Sequence, residues 1–296
     1  MDKIIESFKN LYKGENVVKQ HIFIALLFYL PCLVATILQF FDKSSKKEEI
    51  ILIIISSLVV GVLALIPILI LHGVWAKFMN LRFSEAYGIP KLSWDCLVQG
   101  VKMLPLTLVW ALYIGIPSFL YIALVLIGFG AVLSLNSDPV TTMVSVIGMI
   151  LAVMLLFIPL FIISPFVNMV FMKYCENFEY SKALFNPILP FKYMKKSFKD
   201  AIFVALKFIL VNMVTGMAGQ LILMVALMIL VIIAIPIVVV LVVIDENILS
   251  SVGLVFPVVM VCALVGIIPA YIRWITQLAY MDNLEEVYVD KFLIEE

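Results

Sequence analysis

Two apolar stretches toward the C-terminal end of the chain carry polar residues and glycines at helical spacing. In the first stretch these are Asn212, Thr215, Gly216, Gly219 and Gln220. In the second they are Arg273, Thr276, Gln277 and Tyr280. A shorter pair elsewhere is Ser164 and Asn168. Because residues three and four apart share one face of a helix, each set is expected to form a polar stripe.

Polar side chains that face lipid are costly, so these stripes are expected to face protein or a water-filled cavity. One interpretation is a vestibule open to the cytoplasm, in which Arg273 and Lys207 attract lipid phosphates or another anion. The other is hydrogen bonding between helices, with both cations extending to the inner interface. The residues that would contact an anion or lipid, or line a polar cavity, are Ser164, Asn168, Lys207, Asn212, Thr215, Gln220, Arg273 and Gln277.

Residue types that catalyse reactions or hold metals are sparse. The two histidines, His21 and His72, are not part of an H-E-x-x-H motif, and both are interpreted as packed or interfacial. The sequence has no G-x-S-x-G, phosphate-binding loop or dinucleotide-binding glycine pattern. Acidic residues fall in tails, connectors or span edges, which disfavours ion-coupled transport. We therefore expect no catalytic residue, metal ion or cofactor.

The elements that must position these side chains are long apolar segments. Of the 296 residues, 65% are hydrophobic and only 14% are charged, unlike the composition of soluble domains. About 20 apolar helical residues cross the hydrocarbon core of a bilayer. Six segments meet this length: 21–41, 51–80, 103–135, 140–174, 201–244 and 251–281. The sequence predicts an all-α integral membrane protein with six transmembrane helices, the first retained rather than cleaved.

The basic residues predict the orientation of these spans. Seventeen Lys and Arg residues lie in or beside the segments 1–20, 81–102 and 175–200 or near the C-terminus, and three lie in the alternate loops. Positively charged loops stay in the cytoplasm, so both termini are expected there, in a multi-pass protein of the plasma membrane. Trp75, Trp94 and Trp274 fall near the same predicted interface.

The layout also indicates an internal repeat. Ile-Pro steps at 66–67, 158–159 and 268–269 each precede an exit toward the cytoplasm, followed by acidic residues. A short amphipathic stretch precedes each predicted hairpin, at 2–13, 93–104 and 190–199. The predicted apolar faces of the three stretches are, in order, Ile4, Ile5, Phe8, Leu11 and Tyr12; Trp94, Leu97, Val98 and Val101; and Phe191, Met194 and Phe198. These stretches are interpreted as interfacial helices on an anionic inner leaflet, or alternatively as cytoplasmic elbows packed between spans. We predict one membrane domain, 1–296, with repeat-like units of about 1–80, 91–175 and 187–285.

Segment 201–244 has two interpretations, because its length is about twice what one crossing requires. It forms one helix with a cytoplasmic or interfacial extension, or it breaks at Gly216 and Gly219. Since the chain contains no G-x-x-x-G, the sequence gives no signal for tight glycine-mediated pairing of helices.

The order of an amphipathic start, a hairpin, "NLRF" at 80–83 and "KLSWDCLVQGVKML" at 91–104 resembles a known group. It is similar to the bacterial and archaeal membrane proteins grouped as a domain of unknown function, the DUF4013-type family. More distantly, it resembles the membrane domain attached to some glycerophosphodiester phosphodiesterases. The resemblance implies a six-span fold with amphipathic connectors and no assigned activity.

From these features we expect a non-enzymatic membrane scaffold or accessory subunit that acts at the inner leaflet. The alternative is a passive permease or transporter for lipids, peptides or another anionic or amphipathic small molecule. The expected partners are anionic membrane lipids, together with a partner protein or further copies of the chain. A net charge of zero predicts no attraction to nucleic acid.

Overall fold

The computed structural model describes residues 2–13, 17–27, 47–135, 138–244 and 252–294. Within these ranges the regular structure is helical and contains no β-strand, which confirms the all-α prediction. The helices are α1 (Asp2–Leu11), α2 (Val17–Leu27), α3 (Lys47–Phe83), α4 (Trp94–Leu135), α5 (Pro139–Cys175), α6 (Leu189–Ile244) and α7 (Val252–Tyr288). A 3-10 helix, Lys182–Phe185, precedes α6, and a π-helical turn, Val289–Leu293, follows α7. Residues 28–41 of the first predicted span, most of the loop 42–49 and the loop 245–250 lie outside the described residues.

Three helices of the described chain are long and apolar enough to cross a membrane. They comprise Trp94–Ser134, Pro139–Cys175 and Leu189–Ile229, each well beyond the length that one crossing needs. Their surfaces expose large apolar side chains, with Phe119, Leu124 and Ile127 of α4 each about 70% accessible. Such a surface is stable against lipid rather than water. The chain is therefore a helical membrane protein.

Neighbouring helices pack in antiparallel pairs. In the pair α3–α4, Gly73 lies beside Cys96, and Gly100 lies beside Leu69. In the pair α4–α5, the Tyr121 hydroxyl donates a 2.9 Å hydrogen bond to the Ala152 carbonyl. In the pair α6–α7, the rings of Phe208 and Tyr280 lie 5.5 Å apart, and Gly219 faces Pro269. In each pair, residue numbers rise on one helix as they fall on the other.

Contacts divide the chain into two compact units. The first comprises Met1–Val101 and Leu206–Asn283, and the second comprises Lys102–Ala205 and Leu284–Glu296. The division falls within α4, α6 and α7, so each of these helices contributes residues to both units. The organisation as one membrane domain with three repeats stays a prediction.

Helix α5 begins at a connector that the sequence marks with Asp138-Pro139. The Asp138 carboxylate accepts a 2.9 Å hydrogen bond from the Thr141 backbone N–H and another from the Thr141 hydroxyl. Pro139 occupies the first helical turn, where its missing N–H has no intrahelical acceptor to lose. The bond from the Thr141 amide holds the pKa of the Asp138 carboxyl below its usual range.

Helix α1 is amphipathic, but its buried face differs from the predicted apolar stripe. Ile4, Ser7 and Leu11 are buried, whereas Ile5 and Tyr12 are exposed. The buried face includes a serine because Ser7 is hydrogen-bonded within the protein. The helix therefore packs as an elbow on one side and presents apolar side chains on the other.

The other two amphipathic stretches are the first turns of α4 and α6, and they follow the same rule. Their predicted apolar faces are exposed at Trp94, Val98, Val101, Phe191 and Phe198. Their buried faces contain Cys96, Gly100, Met103, Pro190, Tyr193 and Ser197. The predicted apolar faces thus point outward, while the buried faces combine small, polar and apolar residues.

Helix α6 runs for 56 residues without a break at Gly216 or Gly219. Its one irregular backbone position among the described residues is Ser197, with φ −126° and ψ 18°. Gly219 packs against α7, where a Cβ would be in ordinary van der Waals contact, 3.5 Å from the Cα of Pro269. Of the two interpretations of segment 201–244, the structure supports one continuous helix.

The closest approach of helices in the first unit depends on Gly73 and Gly100. A Cβ on Gly73 would lie 2.9 Å from the Gly100 backbone nitrogen and would overlap the Cys96 carbonyl. A Cβ on Gly100 would lie 3.2 Å from the Leu69 Cα and would overlap the Leu69 carbonyl. This contact could not be predicted from the sequence, because the two glycines lie on different helices rather than in a G-x-x-x-G motif.

We expect Gly100→Ala to lower the free energy of unfolding by about 1–3 kcal/mol, because the added methyl group meets backbone that cannot rotate away. Gly115→Ala is the matched control on the same helix, since nothing lies within 4 Å of a Cβ there. The measurement is unfolding in detergent micelles by titration with a denaturing detergent. Equal stability of the two variants would contradict the close packing.

Candidate functional site

A buried ion pair links the ends of α3 and α7 in the first unit. The Arg82 guanidinium pairs with the Asp282 carboxylate, and both side chains are almost inaccessible. Because a buried charge without a partner costs several kcal/mol, each group needs the other. The Arg82 guanidinium also lies 4.9 Å from the centre of the Tyr87 ring, and the Lys13 ammonium lies 4.7 Å from that ring. The pair therefore holds the loop after α3 against the end of α1.

Two further contacts fasten α1 to the rest of this unit. The Asn283 side chain donates a 2.7 Å hydrogen bond to the Ser7 hydroxyl and a second bond to the Ala279 carbonyl. Gly88 has a φ of +95°, and a Cβ there would overlap the Lys13 carbonyl. A glycine is therefore required both by the backbone conformation and by the space available.

His21 is packed between two tyrosines, as the sequence interpretation expects. Its ring stacks on Tyr12 with centroids 4.4 Å apart and meets the edge of Tyr271 at 5.9 Å. Its Nε2 lies 3.4 Å from the Leu11 carbonyl, and its Nδ1 is hydrogen-bonded to the Tyr271 hydroxyl. A neutral ring with the proton on Nε2 satisfies both partners, because Nδ1 then accepts.

The second unit has its own polar centre around the end of α7. The Tyr288 hydroxyl, which is buried, donates a hydrogen bond to the Glu176 carboxylate at the end of α5. The Tyr193 ring of α6 meets the Tyr288 ring edge-on at 5.9 Å and the Phe292 ring at 4.8 Å. Burial raises the pKa of the Tyr288 hydroxyl above its usual range, so this group remains a donor at physiological pH.

The segment between α5 and α6 is fastened by side-chain bonds to its backbone. Trp110 Nε1 donates a 3.0 Å bond to the Leu184 carbonyl, and the Tyr113 hydroxyl donates a 3.2 Å bond to the Phe185 carbonyl. The Tyr180 ring stacks on Phe185 at 5.7 Å. Burial raises the pKa of the Tyr180 hydroxyl. The 3-10 helix is thus held on α4 by two donors that lie one turn apart.

The two predicted polar stripes on α6 and α7 each divide into an inner and an outer part. Thr276 is fully buried and donates a bond to the Ile272 carbonyl, with the Thr215 hydroxyl 3.4 Å away. Tyr280 and Gly219 are buried in the same seam. The remaining polar members, Asn212, Gln220, Arg273 and Gln277, are exposed.

The four exposed residues lie on one side of the α6–α7 seam and are called the polar rim below. Successive residues of a helix are rotated by about 100° about its axis, so Asn212 and Gln220 are both rotated in the same direction from the seam residues of α6. Arg273 and Gln277 are displaced in the same sense on α7. In an antiparallel pair, displacement in the same sense on both helices leads to the same side.

The other predicted site residues do not join the polar rim. Lys207 is turned by about 140° around α6 from both Asn212 and Gln220, so it cannot share an anion with Arg273 through that flank. Ser164, exposed, and Asn168, partly buried, lie one turn apart on α5 in the second unit. Thr215 faces the seam. The structure thus brings together four of the eight predicted residues.

Among the described residues, no three or more His, Cys, Asp or Glu side chains are placed to hold a metal ion. No family model, curated protein or solved structure matches the chain.

The buried pairs Arg82–Asp282 and Tyr288–Glu176 were not predicted from the sequence. The available signal was the acidic residue after each exit toward the predicted cytoplasm, which includes Glu176. Their partners lie far away along the chain, and in a single sequence nothing links positions 112 or 200 residues apart.

We expect Arg82→Met and Asp282→Leu each to lower the free energy of unfolding by about 3–5 kcal/mol, because each removes one partner of a buried ion pair. The double variant should recover much of that loss, since both members of the pair are then uncharged. Denaturing-detergent titration measures all three variants.

Lys77→Met is the control, because the Asp95 partner of Lys77 is largely exposed; we expect a loss below about 1 kcal/mol. A double variant as unstable as the sum of the two single variants would contradict a functional ion pair.

We expect Tyr288→Phe to lower the free energy of unfolding by about 1–3 kcal/mol, because Glu176 loses a donor. The raised pKa means that the contribution of the Tyr288 hydroxyl is complete below pH 10, the usual tyrosine pKa, and is lost as pH rises further. The gap between wild type and variant should therefore narrow above about pH 10. Tyr113→Phe, which removes an exposed donor in the same unit, is the control and should cost less. A constant gap across this pH range would refute the assignment.

Proposed function

We propose that the chain is a six-span, non-enzymatic membrane scaffold or accessory subunit that acts at the inner leaflet of the plasma membrane, with both termini in the cytoplasm. The observation that carries this proposal is the use of its reactive side chains for structure. Arg82 is paired with Asp282, Tyr288 donates to Glu176, and His21 is enclosed by Tyr12 and Tyr271. Groups committed to internal partners serve to position helix ends.

The helix lengths and directions support the six-span topology. Helices α3 and α7 each contain 37 residues, about 55 Å at 1.5 Å per residue, which is enough for one crossing and an extension. The antiparallel contacts of α3 with α4, α4 with α5, and α6 with α7 are those expected of consecutive crossings. The excess of lysines beside 81–102 and 175–200 favours the cytoplasm for those connectors.

The outward faces of the amphipathic elements support a role at the membrane surface. Ile5 of α1, Trp94 of α4 and Phe191 of α6 are exposed, and lysines accompany them in each element. An apolar face flanked by lysines suits the headgroup region of an anionic leaflet. The same layout underlies the proposed relationship to the DUF4013-type family.

The polar rim favours a second candidate function, passive permeation. Four exposed polar side chains along α6 and α7 would line a solute path if another copy or another protein covered them. A permease requires flux through the purified protein, whereas a scaffold does not.

Two measurements test the proposal. In a variant without its natural cysteines, single cysteines at Ser181 and Glu286 should resist a membrane-impermeant maleimide in intact cells, and cysteines at Ser44 and Ser137 should react. The purified protein in native-lipid nanodiscs should retain a stoichiometric partner protein, identified by mass spectrometry. In proteoliposomes it should carry no flux of anionic amphiphiles. Flux that is abolished by Gln277→Leu but not by Ser164→Ala would exclude the scaffold and support the permease.

A further inference from the structure

The chain contains two arginines among its 20 basic residues, and their environments in the structure are opposite. Arg82 is buried against Asp282. Arg273 is exposed and makes no hydrogen bond, ion pair or cation–π contact with any residue that the structure describes. Neither α6 after Ala201 nor α7 up to Met281 contains an acidic residue. Within these parts of α6 and α7, no acidic side chain therefore neutralises the charge of Arg273.

Arg273 lies where the apolar run of α7 gives way to polar residues. It precedes Trp274, and the first acidic residue of α7, Asp282, follows nine residues later, about 13 Å along the helix. An arginine at such a boundary can place its guanidinium among lipid headgroups while its aliphatic portion remains in an apolar environment.

The surface around Arg273 has both space and further donors. Phe208 opposite Tyr280 and Gly219 opposite Pro269 set the register of the pair, which puts Thr215 level with Arg273 and Gly216 one residue, about 1.5 Å, further along α6. Nothing lies within 4 Å of a Cβ built on Gly216, so the position facing this level is open. The amides of Asn212, Gln220 and Gln277 border the opening on the same side of the seam. A niche with one cation and several amide donors is complementary to an anion with several acceptor oxygens.

The neighbouring surface of α6 is apolar and adaptable. Met213, Met217 and Met224 are each about 60–70% exposed. Around the axis of α6, these methionines lie beyond the amide side chains, on the side away from the seam. Flexible, unbranched methionine side chains suit the varied conformations of acyl chains. A headgroup niche thus adjoins a surface for hydrocarbon.

We propose that the polar rim binds the phosphate of an anionic phospholipid, with the Arg273 guanidinium as its principal contact and Gly216 providing the space. A second copy of the chain is a poorer occupant, because a two-fold interface at this surface would place two Arg273 side chains against each other without an acid between them. The assignment of this lipid to the inner leaflet rests on the proposed topology, whereas the binding of the lipid does not.

The experiment is native mass spectrometry of the purified protein after equilibration with dioleoyl phosphatidylglycerol or dioleoyl phosphatidylcholine. Wild type should retain phosphatidylglycerol at least about tenfold better, and Arg273→Gln should remove most of that preference, since a charge-assisted hydrogen bond to phosphate contributes about 1.5–3 kcal/mol. Gly216→Leu should reduce retention as well, although the cation is unchanged.

Two variants are matched controls. Lys207→Gln removes a cation from a different flank of the same helix, and Gly115→Leu adds the same side chain at an open position of α4. Both should retain phosphatidylglycerol as wild type does. Unfolding of every variant in phosphatidylcholine nanodiscs verifies that the fold is intact.

Equal retention of the two lipids by wild type, or an unchanged preference in Arg273→Gln, would overturn the proposal. Displacement of phosphatidylglycerol by millimolar glycerol 3-phosphate would make this a site for a soluble anion and would also overturn it. Cysteine labelling and partner retention test the scaffold independently. A protein without a partner that still selects phosphatidylglycerol would refute the scaffold and leave the lipid site standing.

Discussion

A charge buried inside a membrane protein must have a partner there, and in the first unit Arg82 and Asp282 satisfy this condition for each other. Several contacts depend on that pair. It fixes the end of α3 against α7, and its guanidinium supports the Tyr87 ring, which also receives Lys13 from the segment after α1. The residue after Asp282, Asn283, holds α1 through Ser7. One ion pair therefore specifies the position of the loop after α3 and of the N-terminal helix, because hydrocarbon contacts alone have no preferred direction.

The outer surfaces of the described helices reverse the packing rule of soluble proteins. In water, large apolar residues point inward because burial removes them from solvent. In lipid this difference disappears, and helices approach each other through small residues and hydrogen bonds. Gly73 and Gly100 make the close contacts, and Thr276 and Ser197 are buried with their hydroxyls bonded to backbone carbonyls. The exposed Phe119 and Leu124 represent the complementary outer surface.

This reversal explains how much could be read from the sequence. The apolar run of α4 and the helical spacing of Asn212, Thr215 and Gly219 correctly indicate helices and a shared face, because both depend on local periodicity. On α7, the division of the corresponding face into buried Thr276 and exposed Arg273 could not be predicted, since both residues are polar and lie three residues apart. It depends on which flank α6 occupies. The pairing of Arg82 with Asp282 joins residues 200 positions apart, and a single sequence does not indicate which distant residues are in contact.

Both arginines need oxygen acceptors for their guanidinium groups, and they obtain them in different ways. A guanidinium offers several fixed donors and retains its charge at every physiological pH, so it requires oxygen acceptors rather than general polarity. For Arg82 the fold supplies a carboxylate. For Arg273 the neighbouring helices supply amides, an open position at Gly216 and no acid, although acidic residues occur a few turns further along α7. A structural salt bridge would need only one substitution on the facing flank of α6, at Gly216. The chain has glycine there, which leaves space rather than charge, and an anion from outside the protein is the partner that such an arrangement accommodates.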